Sequence, residues 1–258
     1  MCEAGSPPGT PTDEGVPAPV AATSRRGAGV EDRANTDEGA PESSTGVDSG
    51  VRCAPSTGVG PWPGGRGEWP DDPRFDPELL ENGDHRNVED RYRYWTMDAI
   101  RADVASRTLG FEVAVENLDH DFNIGSIVRT ANALGARRVH VVGRRRWNRR
   151  GAMVTDRYME VGHRDDAGGL ARDCAGRGVT LVGVDNVEGS VPIGTADLPE
   201  PACLVFGSEA RGLSPEMVDA CALVVHIPQR GSTRSMNVGH AAAIAMWEWV
   251  RTRPGEPG

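Results

Sequence analysis

From Phe111 to Gly143 the chain reads FEVAVENLDHDFNIGSIVRTANALGARRVHVVG. A Val-rich run, FEVAVE (111–116), leads through a polar loop into IGSIVRTANALG (124–135) and then into a second Val-rich run, RVHVV (138–142). Short apolar runs rich in β-branched residues are typical of buried parallel strands, and the segment between them has helical length and composition. The alternation continues downstream. TLVGVD (180–185), ACLVFG (202–207) and ALVVHIP (222–228) read as strands. DDAGGLARDCAGRG (165–178), SPEMVDACA (214–222) and MNVGHAAAIAMWEWVRTR (236–253) read as helices. The expectation is an α/β domain over 109–253, with a mostly parallel sheet and helices on both faces. About 145 residues suffice for a proper core.

Upstream the composition changes. Residues 1–70 are rich in Pro, Gly, Ser, Thr, Asp and Glu, with almost no large apolar side chain before Trp62. Such a stretch buries too little surface to offset its ordering entropy, so a disordered tail is expected there. Over 71–108, Val88, Tyr92, Trp95 and Ala99 recur at intervals of three to four, which predicts a helical extension packed on the main domain, with contact to a nucleic acid as the alternative. No apolar run approaches the ~18 residues of a membrane helix, and the N-terminus lacks the basic-then-apolar order of a secretory signal. A cytoplasmic protein is expected. The five cysteines are scattered and none forms C-x-x-C, so neither a disulfide framework nor a metal site is expected.

The 258 residues carry a formal net charge of −10, which taken alone argues against a nucleic-acid partner. The distribution says otherwise. Every basic residue among the 28 is Arg, and seven lie between Arg137 and Arg150. A basic segment on an acidic chain is a local field that the sum conceals.

Several familiar signatures are missing: G-x-G-x-x-G after the first strand, a P-loop lysine, H-E-x-x-H and G-x-S-x-G. Three other segments join a strand end to glycine and polar residues, where open parallel sheets collect ligands. The first runs from Asn117 through Asn123 and Gly125 to Arg129. The second is Phe206-Gly207-Ser208-Glu209 with Gly212-Leu213-Ser214. The third is Ile227-Pro228 with Ser235-Met236-Asn237-Val238. Helix capping alone accounts for Ser214-Pro215, and it is the structural alternative for Asn123 and for Ser235 and Asn237. It does not account for Glu209 at the mouth of an apolar strand, nor for Arg129 on a helix otherwise surrounded by Ile, Val and Ala.

In order and combination these segments resemble the three motifs of the SpoU (TrmH-type) RNA 2′-O-ribose methyltransferases of the SPOUT superfamily, over roughly 111–252. The arginine-rich stretch is similar to actinobacterial members. Asp119-His120-Asp121-Phe122 stands where many relatives have Asp-Pro, and Met236 and Gly239 replace the commoner Leu and Ser. The resemblance implies an α/β fold ending in a deep trefoil knot, a homodimer through the knot region, and S-adenosylmethionine as cofactor. It places the cofactor at Gly207, Ile227 and Met236, with Phe206 in the same motif and Asp185 and Asn186 nearby. It implies methyl transfer to a ribose 2′-hydroxyl of tRNA or 23S rRNA, needing no metal. The family assigns the base role to the arginine at position 129. A guanidinium stays protonated up to about pH 12, so clamping a phosphate and steadying the developing alkoxide is the easier role. Asn123, Glu209, Ser235 and Asn237 would orient Arg129 and the ribose. Arg144, Arg145, Arg146, Arg149 and Arg150 would contact RNA phosphates, with Trp147 available to stack on a base. The alternative is a non-catalytic RNA-binding or assembly protein that keeps the fold.

Overall fold

The computed structural model describes residues 58–117, 123–208 and 210–253. The expected tail over 1–57 and the first-motif loop at 118–122 lie outside them, as does Glu209. Seven strands form one sheet: β1 (Phe111–Asn117), β2 (Arg138–Gly143), β3 (Glu160–Arg164), β4 (Thr180–Val184), β5 (Val191–Pro192), β6 (Ala202–Phe206) and β7 (Leu223–His226). Their order is β3-β2-β1-β6-β4-β7-β5, and every pairing is parallel. The six helices assigned among the described residues are α1 (Pro77–Asn82), α2 (Met97–Ser106), α3 (Ile124–Ala133), α4 (Ala167–Gly176), α5 (Pro215–Ala220) and α6 (Val238–Arg251).

Alternation along the strands builds two cores. Phe111, Val113 and Val115 point to one face, where α3 and α6 pack. Phe111 meets Trp249 of α6 at a ring separation of 4.8 Å. Ala114, Cys203 and Val205 point to the other face, under α4 and α5. The α/β expectation, with helices on both faces, therefore holds. Two edge strands went unread. GluValGlyHisArg (160–164) has a single large apolar side chain, and β5 is two residues long with a proline, which only an edge accepts.

The N-terminal segment departs from its reading. Order is present from Gly58, thirteen residues before the expected start: Val59 pairs with Asp84, and Trp62 packs edge-on against Phe75 and Tyr94 at 5.8 and 5.2 Å. The 71–108 stretch is also not one helix. Asp84 is fully buried and accepts hydrogen bonds from Arg86 (N, Nε and Nη2) and from the Tyr94 amide. That ties residues 84–94 into a loop between α1 and α2, because a buried carboxylate recruits every nearby donor. No described helix is long and apolar enough to cross a membrane.

Candidate active site

Parallel strands bring their carboxyl ends to one edge. The loops after β4, β6 and β7 meet there and line a cavity of about 650 Å³. Asp185, Asn186, Gly207, Ile227, Ser235 and Met236, all singled out in the sequence, are in its wall. Val184, Val238 and Ala241 add apolar surface. Phe206 does not reach the cavity; it is fully buried in the core between β1 and β4, as the strand alternation requires.

Two glycines make this wall possible. A Cβ on Gly207 would fall on the Gly212 carbonyl group and the Leu213 nitrogen. Gly212 itself sits at φ +70°, and a Cβ there would meet the Asp185 carboxylate. Gly207 and Gly212 flank a tight turn closed by Ser208 N to Gly212 O (3.0 Å) and Gly212 N to Ser208 O (2.8 Å). Asp185 braces it: Oδ2 accepts from Leu213 N and Oδ1 from Asn186 N, each at 2.7 Å. Its carboxylate therefore shapes the loop.

Glu116 has a related role that sequence reasoning missed. It is buried at the end of β1 and accepts from both the amide and the hydroxyl of Ser214 at 2.7 Å. Ser214 also caps α5, accepting from Met217 N, as expected. The signal was present: in FEVAVEN the two glutamates occupy inward positions of a strand whose every residue is buried.

Motifs one and three meet at the N-termini of α3 and α6. Asn237 caps α6 through Gly239 N and His240 N. Its Nδ2 donates to Asn123 Oδ1 at 3.2 Å. Asn123 makes no capping bond of its own, so the capping alternative fails for it. Arg129 is exposed on α3, has no hydrogen-bond or ion-pair partner among the described residues, and is not in the cavity wall of its own chain.

The arginine loop is anchored from the sheet. Asn117 is buried and its Nδ2 donates to the carbonyls of Arg144 (2.8 Å) and Arg146 (3.2 Å). A Cβ on Gly125 would lie 2.6 Å from Ala152 N, so this motif-one glycine lets the 149–152 turn close onto α3. Arg144, Arg145, Arg146, Arg149 and Arg150 are exposed. Trp147 is half-buried against the core, with the Arg149 guanidinium 5.6 Å from its ring.

Glu112, His140, Cys174 and Cys203, on four different elements, bring donor atoms within 4.8 Å of one another beneath α4. Sequence spacing could not show this, because the sheet assembles it. Glu112 is committed to His140 Nε2 (2.8 Å) and to Arg177. Burial alone would raise its pKa, but those two partners hold it at about 2. Burial also pushes the Cys203 thiol well above its ordinary value. The hydrogen bond between the two thiols shifts Cys174 the other way, below its ordinary value, and the grouping is a buried ion-pair network beside this thiol pair.

The profile of the SpoU rRNA Methylase family matches residues 110–247, just over half of the chain. An uncharacterized tRNA/rRNA methyltransferase of Mycobacterium ulcerans is 33% identical over 63% of this chain and 54% of its own. The 23S rRNA (uridine(2479)-2′-O)-methyltransferase of Streptomyces viridochromogenes is 33% identical over 51% of this chain and 49% of its own. The chain thus spans about half the length of these curated relatives. Among solved structures, the A. aeolicus TrmH/SpoU tRNA modifying enzyme aligns with a TM-score of 0.55 at 25% identity, over 61% of this chain and 82% of the other. AviRb from S. viridochromogenes, in complex with AdoMet, aligns at 0.51 and 30%, over 58% and 63%. With its motifs gathered at the carboxyl edge of a parallel sheet, the chain belongs to the SpoU rRNA methylase family.

Proposed function

We propose that this protein is an S-adenosylmethionine-dependent methyltransferase acting on a ribose 2′-hydroxyl of structured RNA, tRNA or 23S rRNA. One observation carries the reading: residues of the second and third motifs, far apart in sequence, line one cavity after the carboxyl ends of β4, β6 and β7. Its volume, about 650 Å³, lies within the range of small-ligand pockets. Its lining suits the cofactor: Val184, Ile227, Met236 and Val238 for an apolar ring, and the backbone at Gly207 and Gly212, bare of side chains, for polar groups. When bound, S-adenosylmethionine supplies an electrophilic methyl on a sulfonium.

The chain's own residues do the rest. Asp185 holds the glycine turn in place. Asn123 and Asn237 fix the two helix starts together and leave Ser235, exposed in the cavity wall, to hydrogen-bond the ribose. Arg129 clamps an RNA phosphate and offsets charge developing on the attacking oxygen. Because Arg129 lies outside its own chain's cavity, the working form is a homodimer in which each motif one faces the partner's cavity. Helix α6 supports this: Met246 and Trp249 are core residues, whereas Ile244 and Trp247 are 42% and 56% exposed on its outer face. The trefoil knot belongs to the same reading. Two relatives carry names that specify 2′-O-methylation, of 23S rRNA and of tRNA (guanosine 18).

The test is titration calorimetry of the full chain with S-adenosylmethionine, followed by ribose-methylation mapping of total RNA from strains with and without the gene. One cofactor per chain and a single lost ribose methylation are expected. Absence of cofactor binding would leave the non-catalytic RNA-binding reading in its place.

A further inference from the structure

Between the two short 3₁₀ turns that follow the arginine loop, Met153 and Val154 stand side by side in left-handed backbone conformation, at φ +49° and +69°. For a β-branched residue this is a genuine outlier, and such strain persists only where the surroundings impose it. Here they do. Ala152 and Tyr158 on either side are buried, and Arg101 of α2 donates to the Arg157 carbonyl at 2.5 Å. Both strained side chains are about half exposed, at 50% and 48%. They project beside a groove of about 900 Å³ whose opposite wall, His85, Arg86, Asn87 and Met97, comes from the N-terminal extension. The Arg150 and Arg157 side chains flank the tip, exposed and without hydrogen-bond or ion-pair partners among the described residues.

We infer that this groove holds an unpaired stretch of RNA, with a base laid on the Met153–Val154 tip and the adjoining phosphates on Arg150 and Arg157. Exposed apolar surface ringed by guanidinium groups, with the lining carboxylate of Asp156 paired to Arg149 at 3.4 Å, matches a single strand, whose base faces are free and whose backbone is anionic. A duplex hides the base faces. The extension is then one wall of the RNA site, and the strain holds the two apolar side chains out of the core, toward the strand. This rests on the reading of the chain as an RNA-modifying enzyme.

The probes are fluorescein-labelled U12 RNA and a 12-base-pair RNA duplex, followed by anisotropy in 50 to 200 mM KCl, with the full-length protein. Met153→Gly/Val154→Gly removes the tip, and glycine accepts both backbone conformations, so the fold stands. This variant is expected to bind U12 about tenfold more weakly with an unchanged salt slope, and the duplex as before. Arg150→Ala/Arg157→Ala is expected to lower the U12 salt slope by about 1.4, or ~0.7 per lost phosphate contact. Wild-type-like U12 binding by both variants overturns the inference, and so does a wild-type protein that does not prefer U12 to the duplex. A tip variant that becomes monomeric in sedimentation while keeping its U12 affinity makes the tip a contact between copies and equally overturns it. Titration of the same sample with S-adenosylmethionine separates the two readings: cofactor binding with failed RNA discrimination removes only the groove.

Discussion

Gly207→Ala is the sharpest test of the cavity. The single added methyl has nowhere to go: it falls on the backbone of Gly212 and Leu213, and backbone cannot rotate aside as a flexible side chain can. The 207–212 turn must open by more than an ångström. Overpacking of this kind costs about 1–3 kcal/mol. Opening also strains the two Ser208–Gly212 hydrogen bonds and the Asp185–Leu213 bond, each worth about 0.5–1.5 kcal/mol. With those three bonds weakened by about half, a total of about 2–5 kcal/mol lowers Tm by roughly 5–15 °C for a domain of this size. Cofactor affinity should fall at least about tenfold, because the displaced backbone is the cavity wall. Gly231→Ala is the matched control. It lines the same cavity, has nothing within 4 Å of an added Cβ, and should leave both quantities unchanged. Differential scanning fluorimetry and calorimetric titration with S-adenosylmethionine give the two readouts. If Gly207→Ala binds within twofold of wild type and melts within about 1 °C of it, the close backbone approach does not exist in solution and the argument fails.

Other outcomes follow from the same contacts. Arg129→Ala should leave cofactor binding intact and reduce methyl transfer about 10²–10³-fold in single-turnover assays; equal loss of cofactor affinity would place Arg129 in the cofactor site instead. Asp185→Ala strands the Leu213 and Asn186 amides and should weaken S-adenosylmethionine about tenfold by the same calorimetry, with no change in RNA affinity. Glu112 ionises at about 2 in the folded chain against 4.5 ordinarily, so its contribution is present above about pH 4.5 and is lost as pH falls toward 2. Urea unfolding should therefore show Glu112→Gln less stable than wild type by about 3 kcal/mol at pH 6 and by only about 1 kcal/mol at pH 2.5; a pH-independent difference would show that the carboxylate's charge is not what matters.

Much of this molecule was legible from local signals. Val-rich runs separated by helical stretches announced β1, β2, β4, β6 and β7, because central parallel strands are apolar on both faces. Pro215 after Ser214 announced the start of α5. The extension was misread for a physical reason. Periodicity through Val88, Tyr92 and Trp95 imitates a helix, but the buried Asp84 carboxylate gathers Arg86 and Tyr94 around itself, and no pattern of apolar residues reports that. Composition placed the aromatic Trp147 in a basic loop, whereas its packing against the core is set by the fold.

Sequence by itself determined the strand–helix alternation, the identity of the motif residues and the placement of the arginines, because each depends on neighbours a few positions away. Only the tertiary structure decided which of those residues share a cavity, that Phe206 is core, that Glu116 braces Ser214 across 98 positions, and that Arg129 faces outward. These facts arise where a sheet in the order β3-β2-β1-β6-β4-β7-β5 places distant segments side by side, and that order is set by packing of both faces at once.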